Sequence, residues 1–448
     1  MNPAPLGWLG ILRLGLVQTA LGAVVVLMTS TINRVMVVEL ALPAFVPGLL
    51  VALHYGVQIL RPAWGYGSDV GGRRTPWIVG GMAVLALGGT GAATATAWAS
   101  NQPGFGLALA ALSFLLVGVG AGAAGTSVLA MLATRVAPRR RAAAATVVWV
   151  MMIFGFALTA PLAGHFLDPF SNARLIWVTA TVAASAFAVS CLAVLGVEGR
   201  AAPNSKPAPA PRLGGRRFSE ACAQVWSEPA ARQFTIFIFV SMLAYSAQEL
   251  LVEPFAGLVF GMTPGATTKL AGLQHSGVLT GMLGVAVAAS LIGGPVMGSL
   301  RLWTVGGCLA SAISLVAIAA EGVATPPYPL SAAVFALGVS NGAFAVAAIG
   351  SMMGLAGAGS GSREGTRMGL WGAAQATAFG LGGFLGTVGV DLVRHLAPSA
   401  GTAYAIVFIA ESLLFLVAAA LAINIRRVVE APFTRAATGS REPVAAGV

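Results

Sequence analysis

Two glutamates four residues apart, Glu249 and Glu253 in YSAQELLVEPFAGLVFGM, stand inside an apolar run beside Gln248 and just before Pro254. That spacing puts both carboxylates on one helical face, and the proline is placed to bend the helix that carries them. Buried, such a pair suits a proton site or hydrogen bonding to a carbonyl-bearing ligand; at the outer rim it would be a pair facing water. His54 lies in the middle of a second apolar run, LLVALHYGVQIL. Its imidazole can relay protons, hydrogen-bond a neighbouring helix or ligate a metal. Asn33, Arg34 and Glu39 close a third run in TSTINRVMVVEL, either snorkelling to headgroups or forming a polar gate that faces inward. An ionisable group deep in hydrocarbon costs about 2.5–3.5 kcal/mol on insertion scales, so each of these residues calls for a partner or a purpose.

The elements that must position them are membrane helices. Hydrophobic residues make up 57% of the 448 and charged residues only 9%, with a mean hydropathy of +0.86. About 20 predominantly apolar residues cross a bilayer, and twelve such windows begin near Leu14, Phe45, Trp77, Phe105, Ala142, Leu175, Phe234, Leu273, Leu302, Leu330, Met368 and Tyr404. The expected fold class is all-α integral membrane, twelve transmembrane helices in two six-helix bundles. The polar, proline-rich stretch GVEGRAAPNSKPAPAPRLGGRR separates them. The expected division is an N-terminal bundle over 1–196, a cytoplasmic linker over 197–232, a C-terminal bundle over 233–425 and a cytoplasmic tail over 426–448. Faint internal similarity agrees with two related halves: GYGSDVGGRRTPWIVGG leads into the third helix and GGPVMGSLRLWTVGG into the ninth. Glycine-rich stretches such as GVGAGAAGTS and GLGGFLG suit tight helix packing, or else a flat slot for a planar ligand.

Charge distribution sets the expected orientation. The formal net charge is +11. All of the 25 Lys and Arg except Arg34, Arg174, Lys269 and Arg394 fall on the side that also holds both termini. Positive residues favour the cytoplasm, so both termini are expected there, and nucleic-acid binding is not indicated. Cys191, Cys222 and Cys308 have no CxxC spacing, which points to neither a disulfide framework nor a metal cluster. The start MNPAPLGWLGILRLGLVQ lacks a basic stretch and a clear cleavage site, so the first apolar run is expected to remain as a helix.

Enzyme chemistry finds little to work with. The chain has three aspartates, Asp69, Asp168 and Asp391, far apart in sequence, which do not form the clustered acids that hold magnesium and a diphosphate. GxxxxGK[ST], GxSxG and HExxH are absent from the sequence, and a non-enzymatic protein is expected. The loop RPAWGYGSDVGGRRTP has neither the strand nor the lysine of a nucleotide cradle; Asp69 with Arg73 and Arg74 reads as a cytoplasmic latch or as a plain basic anchor.

GYGSDVGGRRTP resembles the loop between the second and third helices of major facilitator proteins. With TSTINRVMVVEL, YGVQILRPAWGYGSDVGGRRTPWI and above all YSAQELLVEPFAGLVFGMTPGATTKL, the chain is similar over nearly all twelve helices to the PucC/LhaA family of photosynthetic purple bacteria, the bacteriochlorophyll delivery proteins. Only Val70, Gly71 and Gly72 separate Asp69 from Arg73, and Arg135 stands where other members carry an acid; both features resemble the branch labelled a bacteriochlorophyll synthase chain. The resemblance implies an inner-membrane factor for assembling the photosynthetic apparatus. Such a factor would pass bacteriochlorophyll or a precursor to light-harvesting or reaction-centre polypeptides. It implies bacteriochlorophyll as a bound ligand with no required cofactor, and those polypeptides and membrane lipids as partners. On that reading His54 is the candidate ligand to the chlorin magnesium, and Asn33, Arg34, Gln248, Glu249 and Glu253 are candidates for polar fixing. The rival expectations are a proton-coupled small-molecule transporter using Glu249 or Glu253, and a pigment-free chaperone for antenna polypeptides.

Overall fold

The computed structural model describes residues 5–61, 64, 73–137, 140–198, 223, 226–324, 329–358 and 364–424. Asp69, most of the stretch 197–232 and the tail 426–448 lie outside the described residues. Helix α1 spans Trp8–Val38 and contains a π-helical segment, Leu27–Ile32. Helix α2 runs Phe45–Val57 and continues into a 3-10 turn over Gln58–Leu60. Then come α3 (Thr75–Ala99), α4 (Pro103–Arg135), α5 (Arg141–Leu167) and α6 (Asn172–Val194). The second half holds α7 (Pro229–Phe260), α8 (Pro264–Val287, continued by a π turn over Ala288–Ile292), α9 (Leu300–Glu321), α10 (Leu330–Ala358), α11 (Glu364–Arg394) and α12 (Ala400–Asn424). Among the described residues, eleven of the twelve are long and apolar enough to cross a membrane, and α2 contributes a shorter apolar helix, Phe45–Leu60.

Helix is the form these sequences must take, because in lipid every backbone N–H and C=O needs a partner within its own segment. The breaks follow local chemistry. Helix α7 ends at Gly261, whose φ of +63° is left-handed and suits glycine. Two residues later the Thr263 hydroxyl accepts from Ala266 N at 3.2 Å, and Pro264 opens α8 where its missing N–H costs nothing.

Successive helices run in opposite directions, so the start of α1 and the finish of α12 share one end, termed here the near end. Two apolar clusters fill the halves. The first gathers residues of α1 to α6 around Leu14, Phe114 and Leu175, and the second gathers α7 to α12 around Phe234, Phe255, Phe344 and Phe415. The first cluster also takes in Val278, Met282, Ala343 and Val346 from the second half, which marks the seam. Across that seam α5 packs on α8 and α2 on α11, equivalent pairs under the internal repeat. Large apolar side chains such as Leu9, Leu87, Leu291 and Ile313 face outward, as lipid-facing positions must. The glycine-rich stretches serve close packing: a Cβ at Gly118 would stand 2.5 Å from the His54 carbonyl, and one at Gly382 would run into α7 at Leu243 and Ser246.

Candidate functional site

Proline has no N–H, so Pro254 leaves the Leu250 carbonyl one turn back without its helical partner. In the structure Asn33 of α1 supplies that partner, its Nδ2 donating to Leu250 O at 2.8 Å. The π segment just before Asn33 directs this part of α1 at α7, and Thr31 Oγ1 meets Thr268 Oγ1 of α8 at 2.9 Å beside it. Arg34 is buried. It pairs with Glu39 and donates across the seam to Met262 O at 2.5 Å, in space that Gly257 leaves open on α7. Of the two expectations for Asn33 and Arg34, an inward-facing polar contact fits this geometry. Glu39 is 37% exposed and remains at the rim.

Deeper in the seam, Glu253 is buried and Glu249 half-buried, both on the face of α7 that looks across to the other half. Ser30, Thr267 and Arg34 are the polar groups that act on Glu253. Glu249 Oε1 lies 4.0 Å from His275 Nε2 of α8. The Tyr55 and Tyr245 hydroxyls are within its electrostatic reach. The His275 ring packs on Phe156 of α5 with centroids 4.8 Å apart, and Phe379 of α11 touches both Tyr55 (5.3 Å) and Tyr245 (5.7 Å). Five helices from both halves thus converge on one layer. Glu249, His275 and Phe156 each stand eleven residues from the far terminus of their helix, at Phe260, Pro264 and Leu167. At 1.5 Å per residue that is about 16 Å deep, half of the roughly 30 Å hydrocarbon core.

His54 lies beside this layer, buried, with Nε2 2.9 Å from Gln58 Nε2; Gln58 Oε1 accepts in turn from Arg61. Gln248 is fully buried, and neither atom of its amide has a hydrogen-bond partner among the described residues. The same holds for both carboxylate oxygens of Glu411 on α12. Of the remaining candidates, Arg73 and Arg74 sit at the near end, where the described acid that meets them is Glu198; Asp69, the other member of the expected latch, lies outside the described residues. Glu198 takes Arg74 N at 2.5 Å, Thr75 N at 2.9 Å and Thr75 Oγ1 at 2.5 Å, capping α3, while Arg135 reaches its backbone carbonyl. Burial pushes this carboxyl upward, but the Thr75 hydroxyl, the two backbone N–H groups and the Arg73 charge outweigh it and hold it below the ordinary carboxylate value.

The other two aspartates cap helices across the seam at the far end. Asp168, after α5, accepts from Thr263 Oγ1 (3.1 Å) and Gly265 N (3.3 Å) at the start of α8. Asp391, near the end of α11, accepts from Ala44 N (3.0 Å) and Phe45 N (2.7 Å) at the start of α2. His275, Glu411, Glu198 and the roles of Asp168 and Asp391 escaped the sequence reading. For His275 a signal existed, an imidazole inside the apolar run LAGLQHSGVL, of the same kind that marked His54.

The sequence profile of the PUCC protein family matches residues 31–429. The chain is 56% identical to the "Bacteriochlorophyll synthase 44.5 kDa chain" of Rhodobacter capsulatus over 94% of its own length and 96% of that protein. It is 30% identical to "Protein PucC" of the same species over 92% of itself and 91% of the relative. Among solved structures it resembles a bacterial homologue of the human lysosomal transporter Spinster in an inward-facing, unoccupied conformation, with TM-score 0.65, 14% identity and coverage of 94% and 97% of the two chains. A peptide transporter, POT, gives TM-score 0.65 at 15% identity over 96% and 98%. These likenesses establish the major facilitator fold in two six-helix bundles, and a multi-pass membrane protein. On the match across most of its length and the identity to these relatives, the chain belongs to the PUCC protein family.

Proposed function

We propose that this protein is a non-enzymatic assembly factor of the photosynthetic apparatus. It binds bacteriochlorophyll or a precursor and delivers it to light-harvesting or reaction-centre polypeptides in the inner membrane, with both termini cytoplasmic. The observation that carries the reading is the layer of half-buried rings and acids at the seam of a PUCC-family chain: Tyr55, Tyr245, Phe379 and Glu249 between apolar walls. A flat, neutral, long-tailed pigment needs ring-shaped apolar contacts and a few hydrogen bonds, and these residue types supply both. Gln248, Glu249 and Glu253 are its proposed polar contacts, with Asn33 and Arg34 closing the far side and His54 alongside. The basic near end supports the cytoplasmic assignment of the termini. Asp168 and Asp391 are committed to separate helix caps, which supports a protein without diphosphate chemistry despite the word synthase in one relative's name. Copurification tests the reading. Expressed in a pigment-making host, the protein carries bacteriochlorophyll, and its deletion depletes antenna or reaction-centre absorption without an equal loss of total pigment. Pigment-free protein that still supports complex assembly would favour the chaperone alternative.

A second reading is favoured by one specific feature. Glu39, Arg34, Glu253, Glu249 and His275 form a series of ionisable groups from the far rim to mid-membrane, at intervals of about one helical turn along α1 and α7. Such a series suits proton-coupled transport. Flux into liposomes driven by a pH gradient, abolished in Glu249→Gln, would support it; a scaffold predicts no flux.

A further inference from the structure

Four buried polar side chains of the second half share one depth: Gln248 of α7, Ser311 of α9, Asn341 of α10 and Glu411 of α12. Each stands ten to twelve residues from the far terminus of its helix, at Phe260, Glu321, Leu330 and Ala400. At 1.5 Å per residue that is about 15–18 Å, the middle of the hydrocarbon core. Rings close the layer on both sides. Phe344 lies 5.7 Å from Phe415 and 6.3 Å from Tyr245 toward the near end, and Phe255 meets Phe408 at 5.3 Å toward the far end. The fold itself does not demand polarity here. At the same remove from the far end, α1, α4 and α6 of the first half carry Val26, Phe114 and Ala183, all buried and apolar.

Ser311 donates to Asn341 Oδ1 at 2.8 Å. The Asn341 NH2, both ends of the Gln248 amide and both Glu411 oxygens have no hydrogen-bond partner among the described residues. Glu411 is aimed toward α7: a Cβ on Gly386 of α11 would stand 3.5 Å from its Oε1 and 3.0 Å from Ala247, the chain neighbour of Gln248. Helices α7, α9 and α11 pack against α12, and no described basic side chain on them comes near the layer. Arg232 and Arg301 lie at the near end and Arg394, followed by His395, at the far end, each at least about 12 Å away along its helix. The other titratable groups on these four helices are Glu249, Glu253 and Tyr245, Cys308 and Glu321, Asp391, and Tyr404, none of them a cation. An ionised carboxylate in such a place has a large desolvation cost and nothing to offset it, whereas a neutral acid does not. A neutral acid also has one O–H to donate and one C=O to accept, and the Gln248 amide offers the matching C=O and N–H.

We infer that Glu411 is a proton-binding site inside the second half, neutral at physiological pH, with Gln248 as the hydrogen-bond partner of its protonated form. The acid O–H donates to Gln248 Oε1, and Gln248 Nε2 donates to the acid carbonyl, which ties α7 to α12. An ionised Glu411 could only accept, and would leave Gln248 Oε1 unanswered and a charge among rings. The proton thus bears on the packing of α7, the helix that carries Glu249 and Glu253 to the seam.

Infrared spectra of the full-length protein in liposomes at neutral pH, prepared from a host that makes no pigment, give the test. The difference between wild type and Glu411→Gln is expected to hold the carbonyl stretch of one protonated carboxylic acid, shifted in D2O, with no loss of a carboxylate band. Should Glu411→Gln misfold, Glu411→Asp isolates the same band through its shift in frequency. Gln248→Leu is expected to move the band to higher frequency, as the acid carbonyl loses its N–H donor. Loss of a carboxylate band in place of the acid band overturns the inference. So does an acid band that sodium chloride removes from wild type and choline chloride does not, which would make the ligand a metal cation. A band unmoved by Gln248→Leu overturns the pairing with Gln248.

Discussion

The far and near ends of the bundle tie their helices down in different ways. At the far end the carboxylates of Asp168 and Asp391 reach across the seam to the first N–H groups of α8 and α2, and each does so from the terminus of a pseudo-equivalent helix, α5 and α11. At the near end the described contacts of Glu198, Arg13 and Arg301 stay within one half: α6 to α3, α1 to α6 and α9 to α12. The near-end contacts make each half stiff, and the far-end contacts join one half to the other. Among the described residues, the side-chain caps that join the two halves thus lie at the far end.

The largest effect should come from removing both far-end caps. Charge-assisted bonds of this kind are worth about 1.5–3 kcal/mol each. Asp168→Asn with Asp391→Asn should lower the melting temperature in detergent and open far-end positions to a thiol reagent. Equal single-mutant effects would uphold the two-fold equivalence, and a loss confined to one of them would break it. Next in size is Asn33→Ala, which strands the Leu250 carbonyl at a cost of about 1–3 kcal/mol. Pro254→Ala restores an N–H to that carbonyl, so the double variant should be more stable than Asn33→Ala alone. Additive losses would show that the two residues act independently.

At the near end Glu198→Gln should cost about 1 kcal/mol, the usual worth of a helix cap. Because its folded carboxyl is held below the ordinary value, its contribution is full above the unfolded carboxylate pKa and is lost as pH falls through the lower, folded one. Wild type and Glu198→Gln melting curves should therefore converge only at pH below about 4. The smallest effect is expected from Glu39→Gln. With its carboxylate over a third exposed, the pair with Arg34 should contribute at most about 1 kcal/mol, and less at high salt. A larger loss would make Glu39 part of the far-end closure.

The helices were legible because hydrophobic run length carries most of the information in a membrane chain. Asn33, Arg34, Glu249 and Glu253 were legible as residues, since a polar group in hydrocarbon stands out from any apolar background. Their partnerships were not. That Asn33 answers Pro254 depends on the register of α1 against α7, more than 200 residues apart in sequence, and no local pattern encodes it. Asp168 and Asp391 looked like ordinary loop acids because a cap is defined by the helix it meets. Glu198, which caps α3 through Arg74 N and Thr75, was hidden for the same reason, since four helices, α3 to α6, separate it from them in sequence.

The π segment of α1 sets the phase of everything after it. Such a segment amounts to one residue more than an α-helix of the same length would hold. Deleting a single residue within 27–32 would let the helix close up as α, and everything beyond would turn by roughly 100° relative to the residues before it. Either the first half of α1 would keep its fit against α5 and α6, or Asn33 and Arg34 would keep theirs against α7, but not both. A length change should therefore be tolerated far less in this stretch than substitution of its individual side chains.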